Sequence, residues 1–90
     1  MPLLSHDQVE GRLSALPGWE RLGESICRQY SFADFAESMT FVRRVADLAE
    51  GANHHPDILI EYSKVTLTLT SHDAGGLTER DLDLAARIDA

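Results

Sequence analysis

The sequence is short of three things, and each shortage excludes a class of function. It has one cysteine, Cys27, so no intrachain disulfide can form. That usage suits a reducing compartment, and the cytoplasm is the expected location. Positive charge is scarce: eight Lys+Arg stand against fifteen Asp+Glu, a net charge of −7. Nucleic acids and anionic membrane surfaces are held mainly by Lys and Arg, so direct binding to either is not expected. Long apolar runs are missing too, none exceeding three residues. Neither a membrane span nor a signal-peptide core can be built from these.

What is present is an ordinary globular composition, 43% hydrophobic and 26% charged. Ninety residues leave room for a single domain, 1–90, with one core and one site. Local signals divide it cleanly. Ser5-x-x-Gln8 is a capping box, with Leu4 and Val9 as a hydrophobic staple. Val9, Leu13 and Leu16 continue at helical spacing to Pro17-Gly18, the expected helix end. Short strands are predicted at 19–22 and 25–30, joined by a tight turn at Gly23-Glu24. Ser31-x-x-Asp34 is expected to cap the longest helix, and Gly51 to end it. Its apolar positions include Phe32, Phe35, Met39 and Val42, with a second stripe at Phe41, Val45 and Leu48. So wide a face suits packing on a sheet or between copies of the chain.

Strands are predicted at 57–62 and 64–70. In the second, Val65, Leu67 and Leu69 alternate with Thr66, Thr68 and Thr70, as in a strand with one face in the core and one polar face outward. Thr78 caps the last helix, with Leu77 and Leu82 as its staple. The order α-β-β-α-β-β-α predicts an α+β domain: a four-stranded antiparallel sheet with helices packed on one face.

Chemistry concentrates in the histidines. His6 lies in the first turn of a helix, where solvation explains it. His54 and His55 enter the third strand, and His72 follows the fourth. A hairpin turning about Ser63 gives opposed residues that sum to 126, setting His54 against His72. A turn centred one half-residue later gives 127, setting His55 against His72. Opposed Cβ atoms are about 4.5–5.5 Å apart. Adjacent His54 and His55 must point to opposite sides in extended backbone, and Pro56 holds His55 extended. Glu50, Asp73 and Asp81 lie close in sequence, and a carboxylate beside an imidazole raises its pKa and orients its ring. Three readings fit this pattern: a polar loop with incidental histidines, a zinc site, and acid/base catalysis on a small organic substrate. Zinc wants three or four ligands in a tetrahedron, which neighbouring extended histidines supply poorly. Acid/base work is favoured. Cys27, mid-strand, reads as core rather than nucleophile.

These residues resemble the pterin-4a-carbinolamine dehydratase family. The likeness rests on Glu50-Gly-Ala-Asn-His54-His55-Pro56, then Tyr62, then His72, then Gly76-Leu-Thr-Glu-Arg-Asp81. Ser71-His72 stands where Thr-His is common. Gly18-Trp19, Ile26, Tyr30, Phe32, Phe35 and Phe41 extend the match upstream. The resemblance implies the fold derived above and loss of water from a 4a-hydroxytetrahydropterin to give quinonoid dihydropterin, as in tetrahydrobiopterin recycling. It implies no metal and no redox cofactor. His54 and His72 are then the expected acid/base pair, and His55 a substrate-binding or assisting residue. Glu50 and Asp81 would tune the histidines or bind the pterin, and Trp19 would either stack on it or belong to the core. The resemblance further implies a homodimer or homotetramer. Some relatives act as protein partners, so a secondary role with a protein partner is the second hypothesis.

Overall fold

A computed structural model describes residues 2–90. The elements run α1 (His6–Leu13), β1 (Glu20–Leu22), β2 (Ser25–Ser31), α2 (Phe35–Ala52), β3 (Asp57–Glu61), β4 (Lys64–Leu69) and α3 (Glu79–Ile88). The four strands form one antiparallel sheet in the order β1-β2-β4-β3. The α+β order expected from the sequence is the order observed. Among the described residues, no helix is long and apolar enough to cross a membrane.

The sheet sorts its residues by face. Ile26 pairs with Leu69, and Tyr30 with Val65. Ile26, Val65, Leu67 and Leu69 are fully buried. They pack in one core with Val9 of α1, Val45 and Ala49 of α2, and Leu82, Ala85 and Ile88 of α3. Each Val, Leu or Ile among them contributes about 1.5–3 kcal/mol by leaving water. The opposite face carries Glu20, Cys27, Gln29, Thr66 and Thr68, none of them buried.

Helix ends moved from their expected places for local reasons. Helix α1 starts at Ser5, whose side chain accepts from Gln8 N–H while Gln8 reaches back to Ser5 N–H. It stops at Leu13, short of Pro17, and the chain continues in turns that still bury Leu16. Ser31 does not cap α2, because it stays in β2, paired with Lys64. Asp34 is the cap, accepting from Glu37 N–H at 2.9 Å. Gly51 does not end that helix; Asn53 does, in the left-handed conformation at φ 50.

The C-terminus of α3 is tied down from two sides. Asp89 accepts from Trp19 Nε1 (2.7 Å), Arg28 Nη1 (2.9 Å) and Tyr30 OH (2.5 Å). Arg44 of α2 donates to the carbonyl of Ile88 at 2.7 Å. Gly18 is required here: it sits at φ +93, and a Cβ would lie 2.8 Å from the Arg28 guanidinium.

Candidate active site

The site grows out of the end of α2. Asn53 reverses the chain, and its N–H and that of His54 both bond back to the last turn, His54 to Ala49 O at 3.1 Å. Extended backbone then sends the two histidines opposite ways, as alternation requires. His54 turns inward and is 8% exposed, whereas His55 stays exposed.

The hairpin register falls one short of the nearer expected value, 126, and two short of the other, 127. Asp57 pairs with Thr68 and Glu61 with Lys64, so opposed residues sum to 125. The turn is the two residues Tyr62-Ser63, with Tyr62 at φ 55. Continued outward, that register sets His54 against Ser71, not against His72. The three histidines nonetheless line one cleft of about 320 Å³, together with Asn53, Thr70 and Asp73. Pockets of roughly 300 Å³ upward accommodate small organic ligands. A larger hollow of about 460 Å³ lies along α2, lined by Phe32, Ala36, Phe41 and Arg44. It holds no histidine, so the proton-transfer groups place the candidate site at the smaller cleft.

Each histidine has a different setting. His54 Nε2 lies 2.6 Å from Asp81 Oδ1. Asp81 is fully buried, and its other oxygen accepts from Ser71 Oγ and from Thr78 N–H, both at 2.9 Å. An ionised carboxylate only accepts, so the proton of neutral His54 sits on Nε2. Nδ1 has no hydrogen-bond partner among the described residues, and His54 lines both this cleft and a smaller hollow beside Arg80 and Leu84. His55 Nε2 donates to Glu50 Oε2 at 2.5 Å, with both side chains mostly in water. His72 is exposed at the rim. Beside it, Arg80 Nη2 donates to Asp73 Oδ1 at 2.6 Å, and that guanidinium holds the Asp73 carboxyl below the usual range. Arg80 Nε is buried without a hydrogen-bond partner among the described residues.

The structure therefore gathers His54, His55, His72, Glu50 and Asp81 around one cleft and its walls. It does not bring Trp19 there. Trp19 is 5% exposed, stands edge-on to Tyr30 and donates its indole N–H to Asp89, which leaves no open ring face for stacking. Among the described residues, no group of three or more His, Cys, Asp or Glu is arranged to hold a metal ion. Sequence reasoning passed over Ser71. The alternation Val65, Leu67, Leu69 carries on to residue 71, and a polar side chain on the buried face must be hydrogen-bonded; that signal could have found it.

Comparison with known proteins gives the chain's relatives. The family described as pterin 4 alpha carbinolamine dehydratase matches residues 2–90. A protein of Thermomicrobium roseum, provisionally named a pterin-4-alpha-carbinolamine dehydratase, is 51% identical over 98% of this chain and 95% of its own. A protein of Acidobacterium capsulatum with the same provisional name is 53% identical over 100% of this chain and 98% of its own. Among solved structures, a transcriptional coactivator/pterin dehydratase from Brucella melitensis superimposes with a TM-score of 0.92 at 32% identity, over 97% of this chain and 95% of the other. A pterin dehydratase-like protein identified as a RuBisCO assembly factor in the alpha-carboxysome has a TM-score of 0.68 at 27% identity, over 80% and 86%.

Proposed function

The chain belongs to the pterin-4a-carbinolamine dehydratase family, and on that footing we propose that it removes water from 4a-hydroxytetrahydropterin, in the cytoplasm, as a step of pterin recycling. The reaction breaks the C4a–O bond, which needs a proton on the departing hydroxyl. It forms a C=N bond, which releases a proton from the ring nitrogen. Each assisted proton transfer is worth about 10²–10⁴-fold. His54 is the base: Nδ1 takes the ring-nitrogen proton while Asp81 stabilises the imidazolium through Nε2. His72, at the rim, delivers a proton to the leaving hydroxyl. His55, oriented by Glu50, binds the substrate. The observation that carries this reading is three histidines on one cleft, one of them backed by a buried carboxylate.

The test is the dehydration rate of freshly generated 4a-hydroxytetrahydropterin, with the uncatalysed background subtracted. Wild type accelerates it, and His54→Ala or His72→Ala loses most of the acceleration. A wild-type rate equal to background sinks the proposal, as does full activity in both variants.

A homo-oligomer is part of the same proposal. Phe35 is 50% exposed at the start of α2, and the hollow along the same helix is lined in part by Phe32, Ala36 and Phe41; together they offer a surface suited to a second copy. Analytical ultracentrifugation that finds only monomer removes this element. A second reading, action through another protein, is favoured by the likeness to the RuBisCO assembly factor. It would survive loss of all three histidines, whereas the enzymatic role would not.

A further inference from the structure

The proton transfers proposed above use His54 and Asp81 but not the two hydroxyls buried behind them. Ser71 and Thr78 are both fully buried. Their hydroxyl oxygens lie 2.8 Å apart, and Ser71 Oγ lies 2.9 Å from Asp81 Oδ2. A serine hydroxyl has one proton and an ionised carboxylate has none. The Ser71 proton therefore goes to Asp81. Ser71 Oγ can then only accept from its other neighbour, so the Thr78 hydroxyl donates to it. Thr78 Oγ1 accepts in turn from the Arg80 backbone N–H at 3.3 Å. The chain runs one way, from Arg80 N–H through Thr78 and Ser71 to Asp81 Oδ2. It starts in the first turn of α3, where backbone amides carry positive partial charge, and aligned bonds of this kind polarise one another.

The arrangement saturates one oxygen of the carboxylate. Oδ2 takes the Ser71 hydroxyl and the Thr78 N–H, which leaves Oδ1 for His54. We infer that Ser71 is a positioning residue: it turns Oδ1 of Asp81 to His54 Nε2, fixes the Nε2–H tautomer, and so makes Nδ1 the basic nitrogen of that ring. The role of that atom rests on the dehydratase reading; the tautomer does not.

Ser71→Ala, Ser71→Thr and Ser71→Cys of the full chain separate these. The histidine tautomers are read from ¹⁵N NMR shifts at a pH where the imidazoles are neutral, and the dehydration rate is measured beside them. Wild type and Ser71→Thr hold His54 as Nε2–H. Ser71→Ala gives a mixture of tautomers and a rate lower by on the order of tenfold, the equivalent of a hydrogen bond to a charged group. Ser71→Cys, a weak donor of similar size, falls between them. An alanine variant that keeps the pure Nε2–H form overturns the inference, as does a threonine variant as impaired as alanine. If the alanine variant does not fold, identical tautomers in the cysteine and threonine variants overturn it instead. A wild type without dehydration activity defeats the dehydratase reading while the tautomer result still stands.

Discussion

Exchanging Asp81 for Asn replaces one carboxylate oxygen with an NH₂ group at nearly constant volume, and the surrounding donors decide where that group goes. Thr78 N–H is a fixed backbone donor aimed at the Oδ2 position, and Ser71 shares that oxygen. An amide NH₂ facing Thr78 N–H would set donor against donor. The amide oxygen therefore takes the Oδ2 position and the NH₂ faces His54. His54 Nε2 must now accept, so its proton moves to Nδ1 and the cleft loses its base. The equivalent exchange behind the histidine of a serine protease lowers kcat by about 10⁴-fold, and general-base catalysis is worth about 10²–10⁴-fold. We expect Asp81→Asn to lose at least about 10²-fold in dehydration. Stability suffers less. Two bonds to a charged acceptor become bonds to a neutral amide oxygen and the third, to His54, reverses between neutral groups, each weaker by about 1 kcal/mol. A loss of about 2–4 kcal/mol leaves a domain of roughly 5–15 kcal/mol folded. Asp81→Ala is different: it strands His54 Nε2, Ser71 and Thr78 N–H together, and breaking such a buried pair costs about 3–5 kcal/mol. The assay pairs background-corrected kinetics with urea denaturation and ¹⁵N shifts of His54. A folded Asp81→Asn protein with wild-type rate, or with His54 still protonated on Nε2, refutes the reasoning.

Three further outcomes follow from the packing. Asp34→Ala removes the acceptor for Glu37 N–H at the start of α2 and should cost about 1 kcal/mol, seen as a lower Tm; an unchanged Tm would mean that another group caps the helix. Leu67→Ala, at a fully buried position in β4, should cost about 2–5 kcal/mol in urea denaturation; a loss under 1 kcal/mol would place Leu67 outside the core. Burial and the bond to Asp89 raise the Tyr30 phenol above its ordinary value, while in the unfolded chain it ionises near about 10. The folded state thus favours the neutral phenol, and its contribution is complete below pH about 10 and declines above it. Tyr30→Phe should flatten this alkaline decline, measured as stability against pH, and an unaltered profile would contradict the assignment.

Much of the architecture was legible because it rests on short-range chemistry. The capping box at Ser5 and Gln8, the cap at Thr78 and the alternation Val65-Leu67-Leu69 each declare an element within a few residues. The misplaced boundaries have a different cause. Ser31 reads locally as a cap, but its pairing with Lys64 is a contact over 33 residues in sequence (64 − 31) that no local signal announces. Gly51 remains helical because the cost of an exposed glycine is only about 1 kcal/mol, and Asn53 closes the turn. The register sits one residue from the turn about Ser63 because Tyr62, a bulky residue, accepts positive φ where glycine or asparagine is usual. The histidines converge regardless, since a one-residue slip exchanges which side chain faces inward without moving that end of the hairpin. Trp19 could not be assigned from sequence, because its partner Asp89 is 70 residues away.

Asp81 holds two posts at once. Its side chain closes the capping box at the start of α3 and also orients His54. The two duties are inherited together. A descendant of this chain that abandoned dehydration for a scaffolding role could let His54, His55 and His72 drift, since none of them caps an element. It could not release Asp81 on the same terms, because the last helix would lose its N-terminal anchor. Among such descendants the acid would outlast the bases, leaving a buried carboxylate as the trace of a discarded reaction.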